Sequence, residues 1–223
     1  MTPSHHILLI NPNTSQATTR AMHQLAQPCL PAQVVLHSVT AEQGVPMITT
    51  PQELHTAIAQ VVLLAQRWAS RVDAVVIGAF GNPGLALLRQ RLGLPVLGIG
   101  EAAMREAAAQ GRRFGVATTT PSLRASIDEA VNALGLQAAY TGCQTPLCAA
   151  PLALAHQPAL QDAELAKAVR ACIQEDGAQA VVIGGGPLAE SVPRLAPLFD
   201  VPVISPVEAA MRAALTALGV GGV

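Results

Sequence analysis

Small hydroxyl, amide and glycine residues gather in four short segments that each follow an apolar run. The segments are residues 11–15, 79–82, 118–122 and 185–187. They carry hardly any charge, and their glycines allow a ligand to approach the backbone closely. Segments that open helices also offer free N–H groups to an anion or a polarised carbonyl. This chemistry suits a small polar ligand, although the same residue types also serve simply as helix caps.

An internal repeat shows which of these segments are equivalent. The matching stretches are 7–15 with 114–122, 74–79 with 180–185, and 95–105 with 202–212. Two copies of one α/β unit usually face each other across a cleft, and each copy is long enough to form its own core. We therefore predict two lobes, 1–111 and 112–223, with terminal helices that cross between them and a ligand site in the cleft.

Strand-like and helix-like segments alternate along both copies. Hydrophobic residues make up 51% of the chain but aromatic residues only 2%, so the core must consist mainly of Ala, Val, Leu and Ile. Such cores suit parallel strands covered by helices. The predicted fold class is α/β, with two pseudo-symmetric lobes that each contain a mostly parallel four-stranded sheet flanked by helices. A weak strand is expected near residues 137–140, in the second copy.

Composition and the lack of cofactor motifs narrow the class of function. A net charge of −1 and the absence of a Lys/Arg cluster argue against nucleic acid or an anionic membrane as a partner. The beginning of the chain lacks a secretory signal, and no apolar run reaches the roughly 20 residues of a membrane helix. No phosphate-binding loop motif occurs, which disfavours a nucleotide cofactor. We expect a soluble cytoplasmic protein that acts on a small-molecule substrate.

Two further expectations concern the cysteines and self-association. The spacing of the four cysteines matches no zinc framework, so we expect buried, reduced thiols and no metal. The Ala-rich helices carry few charges, which is compatible with subunit packing. We expect a homo-oligomer, with the number of subunits left open.

Three motifs resemble a known family over nearly the whole chain. These are the segments 7–15 (ILLINPNTS), 76–85 (VIGAFGNPGL) and 116–121 (VATTTP). They are similar to the hydantoin and allantoin racemases of the aspartate/glutamate racemase superfamily. The resemblance implies two similar α/β lobes with the active site between them, and neither a metal nor an organic cofactor.

This sequence also differs from the family at the two positions that carry its catalytic cysteines. In these racemases one cysteine follows each central strand, and the two thiols exchange a proton with opposite faces of the stereocentre. The matching positions here are Ala79 and Gly185, and neither side chain can carry a proton. Proton transfer typically supplies a factor of roughly 10²–10⁴, so thiol-based racemisation should be crippled.

Five other side chains are alternative acid or base groups, namely Cys148, Tyr140, His156, Glu101 and Glu208. Four of them have a simpler explanation. The cysteine is expected to pack, and a lone histidine near a loop is more often a surface residue than a base. The two glutamates follow the fourth strand of each copy, where an acidic residue is favoured at the start of a helix. The catalytic residues are therefore unknown from the sequence.

The predicted ligand lining draws on loops of both copies. It consists of Asn13, Ser15, Pro46, Ile48, Phe80, Gly81, Asn82, Thr118, Thr119, Gly186 and Pro187. Backbone N–H groups of residues 80–81 and 185–186, with Thr118 and Thr119, would polarise a carbonyl and stabilise an enolate-like state. The roles of Pro46 and Ile48 rest on the resemblance alone.

Three functions follow from these observations. The first is a racemase-like enzyme with altered chemistry, which acts on a small cyclic ureide or amino-acid-like substrate by cofactor-independent proton transfer. The second is a catalytically silent or inactivated racemase, which binds such a ligand without turnover. The third is a non-catalytic sensor built on the same cleft. Exchange of the substrate α-proton in D2O distinguishes the first function from the other two.

Overall fold

A computed structural model describes residues 5–146 and 151–220 of the chain. In these residues it contains two sheets of four parallel strands, in the orders β2-β1-β3-β4 and β6-β5-β7-β8. The strands are β1 (His5–Asn11), β2 (Val34–Thr40), β3 (Ala74–Ile77), β4 (Val96–Gly98), β5 (Phe114–Ala117), β6 (Tyr140–Gln144), β7 (Ala180–Ile183) and β8 (Val203–Ile204). The identical order in both halves confirms the α/β class and the two parallel four-stranded sheets.

Helices cover both faces of each sheet. They are α1 (Gln16–Ala26), α2 (Pro51–Trp68), α3 (Leu85–Arg91), α4 (Ile99–Ala107), α5 (Arg124–Ala133), α6 (Pro151–Ala155), α7 (Pro158–Gln174), α8 (Val192–Leu195) and α9 (Pro206–Ala217). Short 3-10 turns precede α5 and α8. Because each strand is followed by at least one helix before the next strand of its sheet, the strands run parallel.

The strands are continuous apolar runs because both of their faces are buried. In β1, residues Ile7 to Ile10 are fully buried. Ile7 and Leu9 enter one hydrophobic cluster, whereas Leu8 and Ile10 enter another. This alternation is the expected result of the two-residue period of a strand that has helices on both sides.

Local sequence signals fix where the helices begin. Ser15 caps α1 by accepting a hydrogen bond from the Thr18 backbone N–H at 3.2 Å. Thr50 and Glu53 form a reciprocal capping box at the start of α2, and Pro51 occupies the first helical position. Such caps pair N–H groups that otherwise lack an intrahelical partner. At α1 the cap also holds the preceding polar loop in place.

The last helix of each half packs across the boundary between the two sheets. Helix α4 contacts β7 of the second sheet, α9 contacts β3 of the first, and the two helices contact each other. Arg212 on α9 donates to both carboxylate oxygens of Glu106 on α4, at 3.0 and 2.8 Å. A single hydrophobic cluster runs through this region and takes residues from both halves. The carboxyl ends of the two sheets are thereby held on opposite sides of one cleft.

The predicted strand near residues 137–140 is misplaced. Residues 136–139 form a turn, in which the Tyr140 N–H bonds to the Leu136 carbonyl at 3.1 Å, and β6 begins only at Tyr140. Gly142 has a φ of 132°, and the register against β5 shifts between Phe114 and Gly115. This irregular strand contains Gly, Thr and Gln rather than an apolar run, so the hydrophobic pattern of the sequence does not predict where it begins and ends.

Neither a membrane-spanning helix nor a metal-binding cluster is present in residues 5–146 and 151–220. No helix there combines the length and apolar character that a bilayer crossing requires. Likewise, no three His, Cys, Asp or Glu side chains in those ranges are grouped as a metal site.

Candidate active site

Ala79 and Gly185 line one small cavity, whose lining residues come from both halves of the chain. Each residue is the second after its central strand, because β3 ends at Ile77 and β7 at Ile183. The cavity measures ≈ 60 Å³. One water needs about 10–15 Å³ of such space, so the cavity has room for roughly four to six water-sized groups. Ligands of open parallel sheets bind at these strand ends.

The two loops that carry these residues meet backbone against backbone. A Cβ added to Gly186 would lie 2.7 Å from the carbonyl oxygen of Gly78, which leaves no space for a side chain. At Gly185 the situation differs, since an added Cβ would lie 3.3 Å from Leu188 Cγ and the backbone is not left-handed. Position 185 therefore accepts a side chain, whereas position 186 requires glycine for the close approach.

Several cavity-lining residues have backbone N–H groups that find no acceptor among the described residues. They are Met47, Ile48, Ala79, Phe80, Gly81 and Gly186, and the last three were predicted as donors. Because unpaired N–H groups in a sheltered site are strong donors, they suit a carbonyl oxygen that gains negative charge. The predicted donor role of the Gly185 N–H is wrong, since this group bonds to the Ile183 carbonyl at 3.1 Å.

Asn13 lines the cavity from the first half and is held by its own loop. Its side-chain oxygen accepts hydrogen bonds from Asn11 Nδ2 at 2.8 Å and from the Ser15 backbone N–H at 2.9 Å. These two donors fix which end of the amide is oxygen. The Asn13 Nδ2 group makes no hydrogen bond to any residue in the described ranges.

The threonines after β5 form a hydrogen-bonded chain on the opposite wall. Thr118 donates its hydroxyl proton to the Gly184 carbonyl at 2.7 Å, and its oxygen lies 2.9 Å from the Thr120 hydroxyl. The Thr118 hydroxyl is thus already used within the protein, which contradicts its predicted role as a ligand donor. Thr120, which the sequence prediction omitted, lines the cavity instead.

Five of the eleven predicted lining residues do not reach this cavity. The Thr118 hydroxyl is bonded to the Gly184 carbonyl. Asn82 Oδ1 accepts a hydrogen bond from the Gly100 N–H at 3.1 Å, at the start of α4. Asn82 also adopts a φ of 50°, which asparagine tolerates in turns. Thr119 is buried, its hydroxyl has no hydrogen-bond partner within residues 5–146 and 151–220, and it lies outside the cavity lining. Ser15 and Pro46 line an adjoining groove of ≈ 660 Å³, which shares Met47 and Pro187 with the cavity.

Six predicted residues do line the cavity, together with residues that the prediction missed. The six are Asn13, Ile48, Phe80, Gly81, Gly186 and Pro187. The missed side chains are Met47, Leu54, Thr120, Leu123 and Leu188. Thr120 was detectable as the repeat counterpart of Asn13, 107 residues earlier. The leucines come from helices or turns that pack over the strand ends, and an isolated apolar residue gives no such signal.

No ionisable side chain among the described residues lines the cavity. The predicted alternatives lie elsewhere: Tyr140 donates to Asp128 at 2.8 Å, and His156 is exposed in the ≈ 660 Å³ groove. Burial, and then the bond to Asp128, raise the pKa of Tyr140 well above its usual range. Cys148 lies outside the described residues.

The two glutamates serve the helices that they begin. Glu101 in the first turn of α4 accepts from Arg89 and Arg105, both at 2.9 Å. Glu208 lies in the first turn of α9, where its N–H bonds to Ser205 Oγ at 3.4 Å. Both lie where a negative charge interacts favourably with the helix dipole, which agrees with the helix-start explanation given for them from the sequence.

The described cysteines are poor sources of thiolate. Burial raises the pKa of Cys143 and of Cys172 to about 12. Burial also raises the pKa of Cys29, which is half-buried. Cys143 lies inside β6 and faces the core. None of these three residues lines the cavity.

Two sheets of four parallel strands, with a small cavity lined by equivalent glycine-rich turns of both halves, define an α/β protein whose candidate site lies between two similar units. A profile of the Asp/Glu/Hydantoin racemase family matches residues 7–214. The chain therefore belongs to this family.

Individual relatives are similar over almost their full length. The chain is 30% identical to a hydantoin racemase of Paenarthrobacter aurescens (96% of this chain, 92% of the relative) and 32% identical to one of Rhizobium meliloti (97% and 90%). It superposes on the allantoin racemase from Klebsiella pneumoniae with a TM-score of 0.90 at 30% identity, covering 99% of this chain and 91% of that one.

Proposed function

We propose that this chain binds a small cyclic ureide or amino-acid-like substrate in the cavity between the sheets and promotes loss of its α-proton without a cofactor. The observation that carries the proposal is the shared cavity of Ala79 and Gly185, with free backbone N–H groups beside it. These N–H groups hold the substrate carbonyl oxygen. The family to which the chain belongs supports an isomerase-like activity of this type.

Charge stabilisation is the part of the chemistry that this site retains. When the α-proton leaves, negative charge moves to the carbonyl oxygen. The N–H groups of Phe80, Gly81 and Gly186, which have no acceptor among the described residues, would donate to that oxygen. One such donor is typically worth about 10²–10³ in rate. The proton passes to water and returns from water, because Ala79 and Gly185 cannot take it.

A second candidate is binding without turnover. The lining of the cavity favours it, since the described side chains there offer no proton acceptor stronger than an amide or hydroxyl oxygen. In that case the site retains the hydrogen bonds of a racemase but lacks the groups that move the proton.

Exchange of the α-proton in D2O, followed by NMR, separates the two candidates. 5-Methylhydantoin, allantoin and free amino acids serve as probes, each with and without the protein. Exchange faster than in buffer, lost in an Ala79→Leu variant that fills the cavity, supports the enzyme. The exposed Ala109→Leu change is the matched control. Binding without exchange supports the second candidate, and absence of both contradicts each of them.

A further inference from the structure

The first turn of α4 lies against the cavity-lining turns of both halves. On one side, a Cβ added to Gly100 would overlap the Phe80 carbonyl oxygen, so the first cavity turn rests directly on the helix backbone. On the other side, the fully buried Ile99 reaches the second cavity turn, since a Cβ added to Gly186 would lie 3.5 Å from Ile99 Cδ1. The start of α4 therefore contacts both turns at once.

The two helices that cross between the halves are capped in different ways. In the second half Ser205 caps its own helix α9, where its Oγ accepts a hydrogen bond from the backbone N–H three residues later at 3.4 Å. The repeat places Gly98 at the equivalent position of α4, and glycine has no side chain that could accept this bond. Asn82 Oδ1 instead accepts from the Gly100 N–H at 3.1 Å. The cap of α4 is thus supplied by the cavity turn of residues 79–82.

The backbone around Asn82 fits it to this role. A Cβ at Gly98 would overlap the Asn82 side-chain oxygen, so the glycine leaves the room that the cap requires. Asn82 has a φ of 50°, a left-handed conformation that asparagine adopts more readily than most residues. Its N–H bonds to the Ala79 carbonyl at 2.9 Å. The same residue therefore closes the cavity turn through its backbone and ties that turn to α4 through its side chain.

We infer that Asn82 is a positioning residue, which holds the Phe80 and Gly81 N–H groups at a fixed place relative to α4 and, through that helix, to Gly186. Asn82 itself does not line the cavity. Donors that stabilise developing charge are effective when they are held in place before the reaction begins. A displacement of about 1 Å can lower the rate about 10²-fold. This inference rests on the proposed function and deepens it.

Two substitutions separate the hydrogen bond of Asn82 from its backbone conformation. Asn82→Asp keeps an acceptor oxygen and tolerates the left-handed φ, whereas Asn82→Gly tolerates this φ and removes the acceptor. Ser205→Ala is the matched control, because it removes the equivalent cap in the other half. In deuterium exchange of 5-methylhydantoin, Asn82→Gly should lower kcat about 10-fold to 100-fold and change KM less. Asn82→Asp and Ser205→Ala should keep kcat within about threefold of the wild-type value.

Backbone NMR gives a readout that does not depend on turnover, and thermal melting shows that each variant folds. In Asn82→Gly the Gly100 amide should exchange with solvent faster, and the amide signals of Phe80 and Gly186 should shift. These signals should stay in place in Asn82→Asp and Ser205→Ala. A Gly100 amide that remains protected in Asn82→Gly, an unchanged kcat, or equal shifts in Ser205→Ala overturns the inference. A wild-type protein that exchanges no α-proton contradicts the proposed enzyme, and the amide signals then decide by themselves whether Asn82 positions the turn.

Discussion

Restoring thiols at the two facing positions should convert this chain into a working racemase. The change is Ala79→Cys together with Gly185→Cys. Both residues line one cavity, on the first turn after each central strand. Each thiol would approach the bound ring from its own half, so one can remove the α-proton while the other supplies a proton to the opposite face.

The structure indicates that the double variant folds. A Cβ at Gly185 meets Leu188 Cγ at 3.3 Å and Cδ1 at 3.4 Å, which a small shift of that side chain relieves. Loss of glycine freedom in the unfolded chain stabilises the protein by about 0.4–1 kcal/mol and offsets part of the crowding. We expect the free energy of unfolding to change by less than about 1.5 kcal/mol.

The expected increase in the racemisation rate follows from the rate factor that a positioned acid or base group usually contributes. Each acid or base group contributes about 10²–10⁴, so racemisation of 5-methylhydantoin should rise at least about 100-fold above the wild-type rate. Either single variant has a thiol on one face only, and should exchange the α-proton with deuterium faster than it inverts the centre. The ratio of exchange to inversion is thus a second readout.

The assay is loss of optical rotation of one enantiomer, under reducing conditions, with deuterium exchange measured in parallel by NMR. Gly93→Cys is the control, because a side chain there meets nothing within 4 Å and it lies outside the cavity. The reasoning is refuted if the double variant folds, binds 5-methylhydantoin and racemises it no faster than the control.

Three further predictions concern the stability of the fold and the reactivity of a buried thiol. Burial and a neighbouring imidazole lower the pKa of His37 from 6.5, so the unfolded chain protonates first and stability should fall as pH drops below about 6.5. Urea unfolding, followed by the fluorescence of Trp68, measures this change, because Trp68 is the sole tryptophan and its ring centroid lies 5.0 Å from that of His37. A free energy of unfolding that does not depend on pH, or a pH dependence that is the same in His37→Gln, contradicts the prediction. Gly81→Ala should destabilise the fold by about 1–3 kcal/mol, since its Cβ would lie within overlap distance of a leucine, whereas Gly93→Ala should not; thermal melting compares them. Cys172, whose pKa burial raises to about 12, should resist iodoacetamide at pH 8 until the protein unfolds, as mass spectrometry would show.

The fold was predictable because its signals are periodic and occur twice. The apolar runs that form β3 and β7 are nearly identical in sequence, and both are fully buried central strands. Helix α1 begins directly after Ser15, the residue that caps it. Strand β6 was misplaced because it contains polar and glycine residues instead of an apolar run, and its register against β5 is irregular.

The candidate site was predictable as a place but not as a set of contacts. Loop position identified residues 79–81 and 186–187, because strand ends gather at one edge of a parallel sheet. Hydrogen-bond direction depends on three-dimensional partners, so the sequence did not reveal that Thr118 turns toward Gly184 while Thr120 faces the cavity. Asn82 was misassigned for the same reason, since its amide caps the start of α4.

A crystal structure with hydantoin bound tests the central claim most directly. The ring should lie between Ala79 and Gly185, with a carbonyl oxygen within hydrogen-bond distance of the Gly81 or Gly186 N–H and another polar edge against Asn13. Density for the ring only in the ≈ 660 Å³ groove, or an empty cavity at saturating hydantoin, would contradict the account.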